Sequence, residues 1–300
     1  MRGWIFYKEL YDGNKPEHYE LHQLRDNAKD HNLDIEVLQP DQIDLIVTRD
    51  DEKSVRVDGK VTELPDFIMP RMGAGTTYFA LAVIRHLERL GLKSFNSSVS
   101  IDTVKDKLFS QQILAENKLP VPKTMLVKFP INIELVEKQL KFPVVIKTLS
   151  GSQGSGVFLS EDAKHFVEFM DFVRATQPNA NIILQEFIQT SYGQDLRVLV
   201  IGGRIVACVR RFSEDNSFKA NFSRGGKMEE YKLTPEIEWL ALESAKLLGL
   251  DIAGIDLLFD GDGYKICEAN SSPGFEGLEK FCKINVASEI YRFINLRLGK

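Results

Sequence analysis

The chain has little cysteine, no long apolar run and no excess of positive charge. Its three cysteines, Cys208, Cys267 and Cys282, are odd in number and widely spaced in 300 residues. That excludes a fully paired disulfide framework and suits reduced thiols in a cytosol. No apolar run approaches the ~18 residues a membrane helix needs, and Lys8 and Glu9 interrupt the start before a signal-like stretch develops. A cytoplasmic protein without a membrane partner is expected. The net charge of -5 and pI near 5.7 give no global basic field, which argues against direct nucleic-acid binding but leaves room for a local basic patch. The five histidines, at 18, 22, 31, 86 and 165, show no metal-ligand spacing, and there is no Ser-His-Asp pattern, internal repeat or low-complexity segment. What remains is an ordinary composition, 43% hydrophobic and 27% charged, at a length that suggests about two domains.

The most informative stretch present is Gly254 to Gly277, GIDLLFDGDGYKICEANSSPGFEG, which reads as two strands joined by a tight turn. Glu268 and Asn270 are two residues apart, so on a strand they share a face. A three-residue loop, Gly261 to Gly263, would set Asp256 opposite Glu268, whereas a two-residue turn would set it opposite Cys267. In the first register two carboxylates and an amide oxygen converge, a set that suits Mg²⁺ carrying phosphates. An ordinary acidic hairpin has the same residues.

The first hundred residues alternate strand and helix signals: strands at Trp4–Tyr7, Asp34–Leu38 and Phe67–Met69, helices at Glu17–His31 and Thr76–Leu90, the latter with Phe79, Val83, Ile84 and Leu87 as its apolar stripe. That order implies a small open α/β sheet, in which ligands sit beyond the carboxyl ends of strands. The segment MPRMGAG, Met69 to Gly75, lies at such an end, making Arg71 a candidate for holding a carboxylate. A helix is expected from Asp102 to Lys118, closed off by Pro120 and Pro122. Beyond it, strands come mostly in pairs joined by tight turns, which implies α+β structure with antiparallel sheets.

Three further constellations invite chemistry. KTLSGSQGSG, Lys147 to Gly156, is a glycine loop between two strands, able to lie over phosphates as a flap; it is neither a P-loop nor a Rossmann fingerprint, since both of those open a helix. Lys147 ends an apolar strand, where its ammonium needs an anion. Gln185-Glu186-Phe187-Ile188 ends another apolar strand, and its backbone groups could read an adenine edge. The hairpin around Gly202-Gly203, given a two-residue turn, sets Asp195 opposite Arg210 and Arg197 opposite Cys208, and with Arg211, Lys219, Asn221 and Arg224 it forms a basic polar region able to neutralise a transferring phosphate.

Taken in order, Lys107, Lys147 before GSQGSG, QEFI, DLRVLV, KANFSRGG, GIDLL and EANSSPGFEGLEK resemble the ATP-grasp superfamily, most closely its RimK-type glutamate ligases, over nearly the whole chain. The resemblance implies an α/β N-terminal open sheet followed by α+β ATP-grasp subdomains with antiparallel sheets, divided as residues 1–97, 98–190 and 191–300. It implies that Lys107, Lys147, Gly151, Ser152, Gly154, Ser155 and Gly156 meet ATP phosphates, that Gln185 to Ile188 meet the adenine, and that Asp195 and Arg197 belong to the nucleotide site, Asp195 at the ribose. Asp256, Glu268 and Asn270 would hold Mg²⁺ or Mn²⁺. Arg210, Lys219 and Asn221 are the expected catalytic groups, with Arg210 on the oxyanion; Arg71, Arg211, Arg224 and Ser272 are expected at the substrates. Where the family commonly has Arg, this chain has Lys219, which keeps the charge and loses the bidentate fork. The implied activity is ADP-forming ligation through an acyl phosphate, with glutamate as the amine and a ribosomal-protein or peptide C-terminus as the carboxylate; homo-oligomerisation stays open. A ligase acting on a small carboxylate metabolite, or a nucleotide-binding regulator without catalysis, would carry many of the same residues.

Overall fold

The computed structural model describes residues 1–49, 54–149, 156–214, 218 and 226–300. The first group of elements is β1 (Arg2–Phe6), α1 (Tyr19–Ala28), β2 (Asp34–Leu38), β3 (Ile43–Leu45), β4 (Val55–Val57), β5 (Lys60–Val61), β6 (Phe67–Pro70), α2 (Tyr78–Arg89) and β7 (Lys93–Ser94). Its main sheet runs β2-β1-β6-β7, all parallel, with β3-β4-β5 as a small antiparallel sheet beside it. The alternation of strand and helix signals therefore gives the expected open sheet. In α2, capped by Thr77, the buried stripe is Ala80, Leu81, Val83, Ile84 and Leu87, while Phe79, expected inside, is half exposed in the first turn.

The next elements are α3 (Ser98–Lys105), α4 (Lys107–Glu116), β8 (Thr124–Leu126), α5 (Ile133–Leu140), β9 (Val144–Thr148), β10 (Val157–Ser160), α6 (Ala163–Thr176) and β11 (Ile182–Glu186). The expected single helix from Asp102 is broken at Asp106, whose backbone is extended and whose carboxylate accepts the N–H groups of Leu108 and Phe109. An aspartate offering its own oxygen to the next turn caps a new helix rather than continuing the old one. Lys107 thereby becomes the first residue of α4. Strands β10-β9-β11-β8 form an antiparallel sheet over a core that includes Val136, Ile146, Phe166 and Met170.

The last elements are β12 (Gln194–Ile201), β13 (Arg204–Phe212), β14 (Lys227–Glu230), α7 (Pro235–Leu247), β15 (Ile252–Asp260), β16 (Gly263–Asn270), α8 (Glu276–Cys282) and α9 (Val286–Arg297). Their antiparallel sheet runs β14-β13-β12-β15-β16. One face, with Leu196, Val198 and Val200, packs on Ile237, Leu240 and Ala241 of α7. The other, with Leu199, Ile201 and Val209, packs on Ile290 and Phe293 of α9 and reaches Leu21 and Leu24 of α1, joining this sheet to the first group. Among the described residues no helix is long and apolar enough to cross a membrane.

Two bulges decide which side chains face the space between the antiparallel sheets. The β12–β13 turn has two residues, Gly202 and Gly203, both in the left-handed region, as a tight hairpin of this kind demands. A register shift between Leu199 and Val200 then moves the pairing by one, so Asp195 stands opposite Arg211 and Arg197 opposite Val209. The expected partners, Arg210 and Cys208, are corrected accordingly. A slip of one residue sends a strand's side chains to the other face. In β15–β16 the turn is also two residues, with Asp260 paired to Gly263, yet a shift between Asp256 and Leu257 restores Asp256 opposite Glu268. The converging register is therefore reached by a bulge and not by a three-residue loop.

Candidate functional site

Between the β8–β11 sheet and the β12–β16 sheet lies a cavity of about 770 Å³, within the range of small-molecule sites. It brings together Lys107 from the start of α4, Lys147 from β9, Gln185 to Ile188 from the end of β11, Asp195 and Arg211, Asp256, and Glu268, Asn270 and Ser272. Lys147 crosses to the opposite sheet, its Nζ 3.6 Å from Cys267 Sγ. Cys267 is the extra residue of the β16 bulge, and burial pushes its thiol up to about 11 although the lysine pulls the other way. No sequence signal marked this cysteine as part of the site.

Asp195, Arg197, Arg211 and Asp256 form one ion-paired network on the cavity face. Arg211 donates from Nε and Nη2 to the two oxygens of Asp195, at 2.6 and 2.7 Å, and from Nη2 to Asp256 Oδ2 at 2.9 Å. Arg197 forks onto Asp256 with two 2.7 Å bonds. Burial raises both carboxyls. At Asp256 the two arginines outweigh it and hold the group below the usual range, whereas Asp195, with Arg211 alone in contact and Asp256 nearby, ends above it. Planar bidentate pairing of this kind fixes orientation as well as charge.

The residues that could offer oxygens to a divalent cation are Glu268 and Asn270 together with Asp256. Among the described residues Glu268 makes no ion pair or hydrogen bond, and Asn270 turns its Nδ2 toward the Gly254 carbonyl at 3.4 Å, leaving Oδ1 for another partner. Asp256 already accepts three N–H groups, so it can offer a cation only its remaining lone pair. No group of three His, Cys, Asp or Glu among the described residues forms a metal cluster. The set here differs in that its third candidate donor is the amide oxygen of Asn270. Hard oxygens in this number, leaving other positions to phosphate and water, fit Mg²⁺.

At the other end of β16 the Glu186 side chain is committed away from the cavity. Its Oε1 accepts from Lys265 Nζ at 2.6 Å and from the Lys123 N–H at 2.9 Å. Burial raises this carboxyl, but those two bonds outweigh it and hold it below the ordinary 4.5. Gln185 Nε2 donates to Thr124 Oγ1 at 2.9 Å, so both side chains brace the strand end; of the backbone there, the Glu186 N–H donates to the Lys123 carbonyl and the Ile188 carbonyl accepts from the Ser191 N–H. Leu258, on the same strand face as Asp256, adds an apolar wall; its two-residue spacing from Asp256 was the available signal.

The chain is 40% identical over 230 residues to a Legionella pneumophila protein named probable alpha-L-glutamate ligase, covering 76% of each, and 35% identical over 283 residues to a protein of the same name from Histophilus somni, covering 92% of this chain and 94% of that one. The family model described as the RimK-like ATP-grasp domain matches residues 104–294, and the RimK PreATP-grasp domain matches 13–101. The chain belongs to the RimK-like ATP-grasp family. The fold is shared with a RimK domain protein of Sphaerobacter thermophilus, TM-score 0.75 at 19% identity, covering 98% of this chain and 99% of that one. It is shared equally with the ATP-grasp ligase PsnB solved with its minimal precursor, TM-score 0.74 at 16% identity, covering 99% and 98%.

Within this RimK-like chain several expected residues lie elsewhere. Arg210 points to the far face, where it bonds Gln194 Oε1 and Glu229, and it does not line the cavity; the bulge gives that position to Arg211. Arg71 is 6% exposed and sits behind the cavity, donating from Nη2 to the Pro273 carbonyl at 2.7 Å with its guanidinium 5.5 Å from the centre of the Phe275 ring. Through Nη2 it holds the loop carrying Ser271 and Ser272, while its buried Nη1 has no hydrogen-bond partner among the described residues. Arg197 reaches the site through Asp256. Gly156 closes the glycine hairpin with φ +72°, where a Cβ would collide with Thr148. Gly151, Ser152, Gly154, Ser155, Lys219, Asn221 and Arg224 lie outside the described residues. Sequence reading also missed Asn96, fully buried, whose side chain bonds the Ile252 and Ser271 carbonyls and the Asp251 and Ile252 N–H groups, latching the same loop.

Proposed function

We propose that this protein is an ADP-forming ligase that activates a carboxylate with ATP and joins it to the amine of an amino acid, with glutamate as the amino acid and a protein or peptide C-terminus as the acceptor. One observation carries the reading: a single cavity gathers Lys107 and Lys147, the strand end at Gln185 to Ile188, and the oxygens of Asp256, Glu268 and Asn270 from two paired strands, all within a RimK-like ATP-grasp fold. The relatives named alpha-L-glutamate ligase supply the choice of amino acid.

The chemistry follows from what these side chains can do. A carboxylate is a poor electrophile, and conversion to an acyl phosphate gives it a good leaving group for amine attack. Lys147 and Lys107 offset charge on the nucleotide phosphates and hold them in line with the acceptor. Glu268, Asn270 and the remaining lone pair of Asp256 would hold Mg²⁺, which when bound supplies charge neutralisation on the phosphate oxygens. Arg211 replaces Arg210 as the oxyanion partner: its Nε and Nη2 are locked by two carboxylates, and Nη1 has no hydrogen bond among the described residues. The glycine loop, with Lys219 and Asn221, is assigned to closure over the phosphates, because acyl phosphates hydrolyse if water enters. No covalent side-chain nucleophile is needed. Incubation with ATP, Mg²⁺, glutamate and candidate acceptor peptides, read by mass spectrometry, should show peptides extended by whole glutamate residues; amidation of small carboxylates alone would reassign the acceptor.

A further inference from the structure

We infer that Asp102 and Lys105, one turn apart on α3, form the subsite that holds the incoming amino acid by its ammonium and carboxylate groups. This assignment rests on the ligase reading and names where its amine substrate is recognised. Both residues line the cavity, as do Gly73 and Ser272. Residues at this spacing share one helix face, and opposite charges there commonly pair. These two do not: among the described residues neither makes an ion pair or a side-chain hydrogen bond, to the other or to anything else. An acid and a base one turn apart on a cavity wall, both exposed to solvent and without a protein partner among the described residues, match the two charges of a free α-amino acid.

Their position along the cavity agrees. Glu186, whose backbone belongs to the adenine end, is tied to Lys265 near the start of β16. Ser272 lies seven residues farther on, close to Gly73, where an added Cβ would come within 4.0 Å of the serine's own Cβ. At about 3.4 Å per strand residue, Asn270 at the end of β16 is roughly 17 Å from Lys265, with Ser272 two residues beyond it, which leaves room for a nucleotide and then a second substrate. α3 stands at the Ser272 end, its Ser100 bonded to the Gly249 carbonyl and its Ile101 packed in the core with Met72. Lys105 is two residues before Lys107, so an amino acid held there adjoins the phosphates without competing for them.

Steady-state ADP release at saturating ATP and acceptor, and saturation-transfer NMR of L-glutamate with the protein and a non-hydrolysable ATP analogue, test this together. Lys105→Ala and Asp102→Asn should each raise the KM for glutamate roughly tenfold or more, with the KM for ATP within about twofold. Lys105→Arg should recover most of the loss, since it keeps the charge. Melting curves matching the parent would show that the variants fold. A rise in the KM for ATP instead, or an unchanged KM for glutamate, overturns the subsite while leaving the ligase reading intact. If the parent releases no ADP with any amine, the ligase reading fails, and the NMR signal decides the subsite alone. A glutamate signal that the parent shows and Lys105→Glu abolishes supports it; a signal that persists in Lys105→Glu, or that the parent never shows, overturns it.

Discussion

At the scale of single residues, Glu268 has no cationic partner among the described residues, unlike Asp195 and Asp256 on the same sheet. Asp195 and Asp256 are neutralised by Arg197 and Arg211. A free carboxylate beside an amide oxygen is what a divalent cation requires. Glu268→Gln keeps the shape and removes the charge, so turnover should fall by two orders of magnitude or more and demand higher Mg²⁺, as loss of a metal ligand implies, with an unchanged melting temperature; full activity at low Mg²⁺ would remove Glu268 from the metal site. This residue was legible from the sequence because strand alternation alone places it with Asn270. Arg71 was not. Its place at a strand end suggested substrate contact, but a guanidinium can equally serve a buried carbonyl 202 positions away, and nothing local distinguishes the two. Arg71→Ala should therefore destabilise the fold by about 2 kcal/mol, the cost of stranding a buried hydrogen-bond partner and losing packing, and lower kcat without a selective rise in one substrate's KM. A selective rise with unchanged stability would restore Arg71 to the acceptor.

At the scale of elements, the site is set by two bulges and one helix break. Local composition announces none of the bulges, because one extra residue in an otherwise regular hairpin leaves the alternation on each side intact. Reading β12–β13 from its turn alone consequently set Arg210 opposite Asp195, the place that the bulge gives to Arg211. Arg210→Ala should cost little activity, since it breaks a partly exposed pair with Glu229, whereas Arg211→Ala should abolish turnover and also destabilise the protein by leaving Asp195 buried without its partner. Equal, mild effects would mean the register is wrong. The break at Asp106 did carry a signal, an aspartate directly ahead of a new apolar run. The Glu186–Lys265 tie joins the two antiparallel sheets at the adenine end. Because the folded carboxyl lies below its ordinary 4.5, the stability it contributes is complete above that value and is lost as the pH falls through the folded one. Glu186→Gln should flatten the acid limb of a stability-against-pH curve measured between about pH 5 and pH 2; an unchanged limb would show the tie to be idle.

At the scale of the whole molecule, the parallel sheet and the β12–β16 sheet are joined by contacts that no motif reveals. The α9 core spans from Phe293 to Leu21 and Leu24, and Asn96 and Arg71 grip the 271–275 loop from the parallel-sheet side. The fold class was legible because helix and strand periods and paired-strand turns are local, while the mutual placement of sheets depends on residues far apart in the chain. The consequence for function is a cleft that runs along β16 from the Glu186–Lys265 tie to Ser272. That is the arrangement a two-substrate ligase needs. ADP release measured with ATP and Mg²⁺, omitting in turn the amino acid and the acceptor carboxylate, tests this most directly. ADP formation should be fast only with both present, and equal in amount to the amide product. ADP formed at the same rate without either substrate, or none formed with glutamate and any carboxylate acceptor, would contradict the ligase assignment.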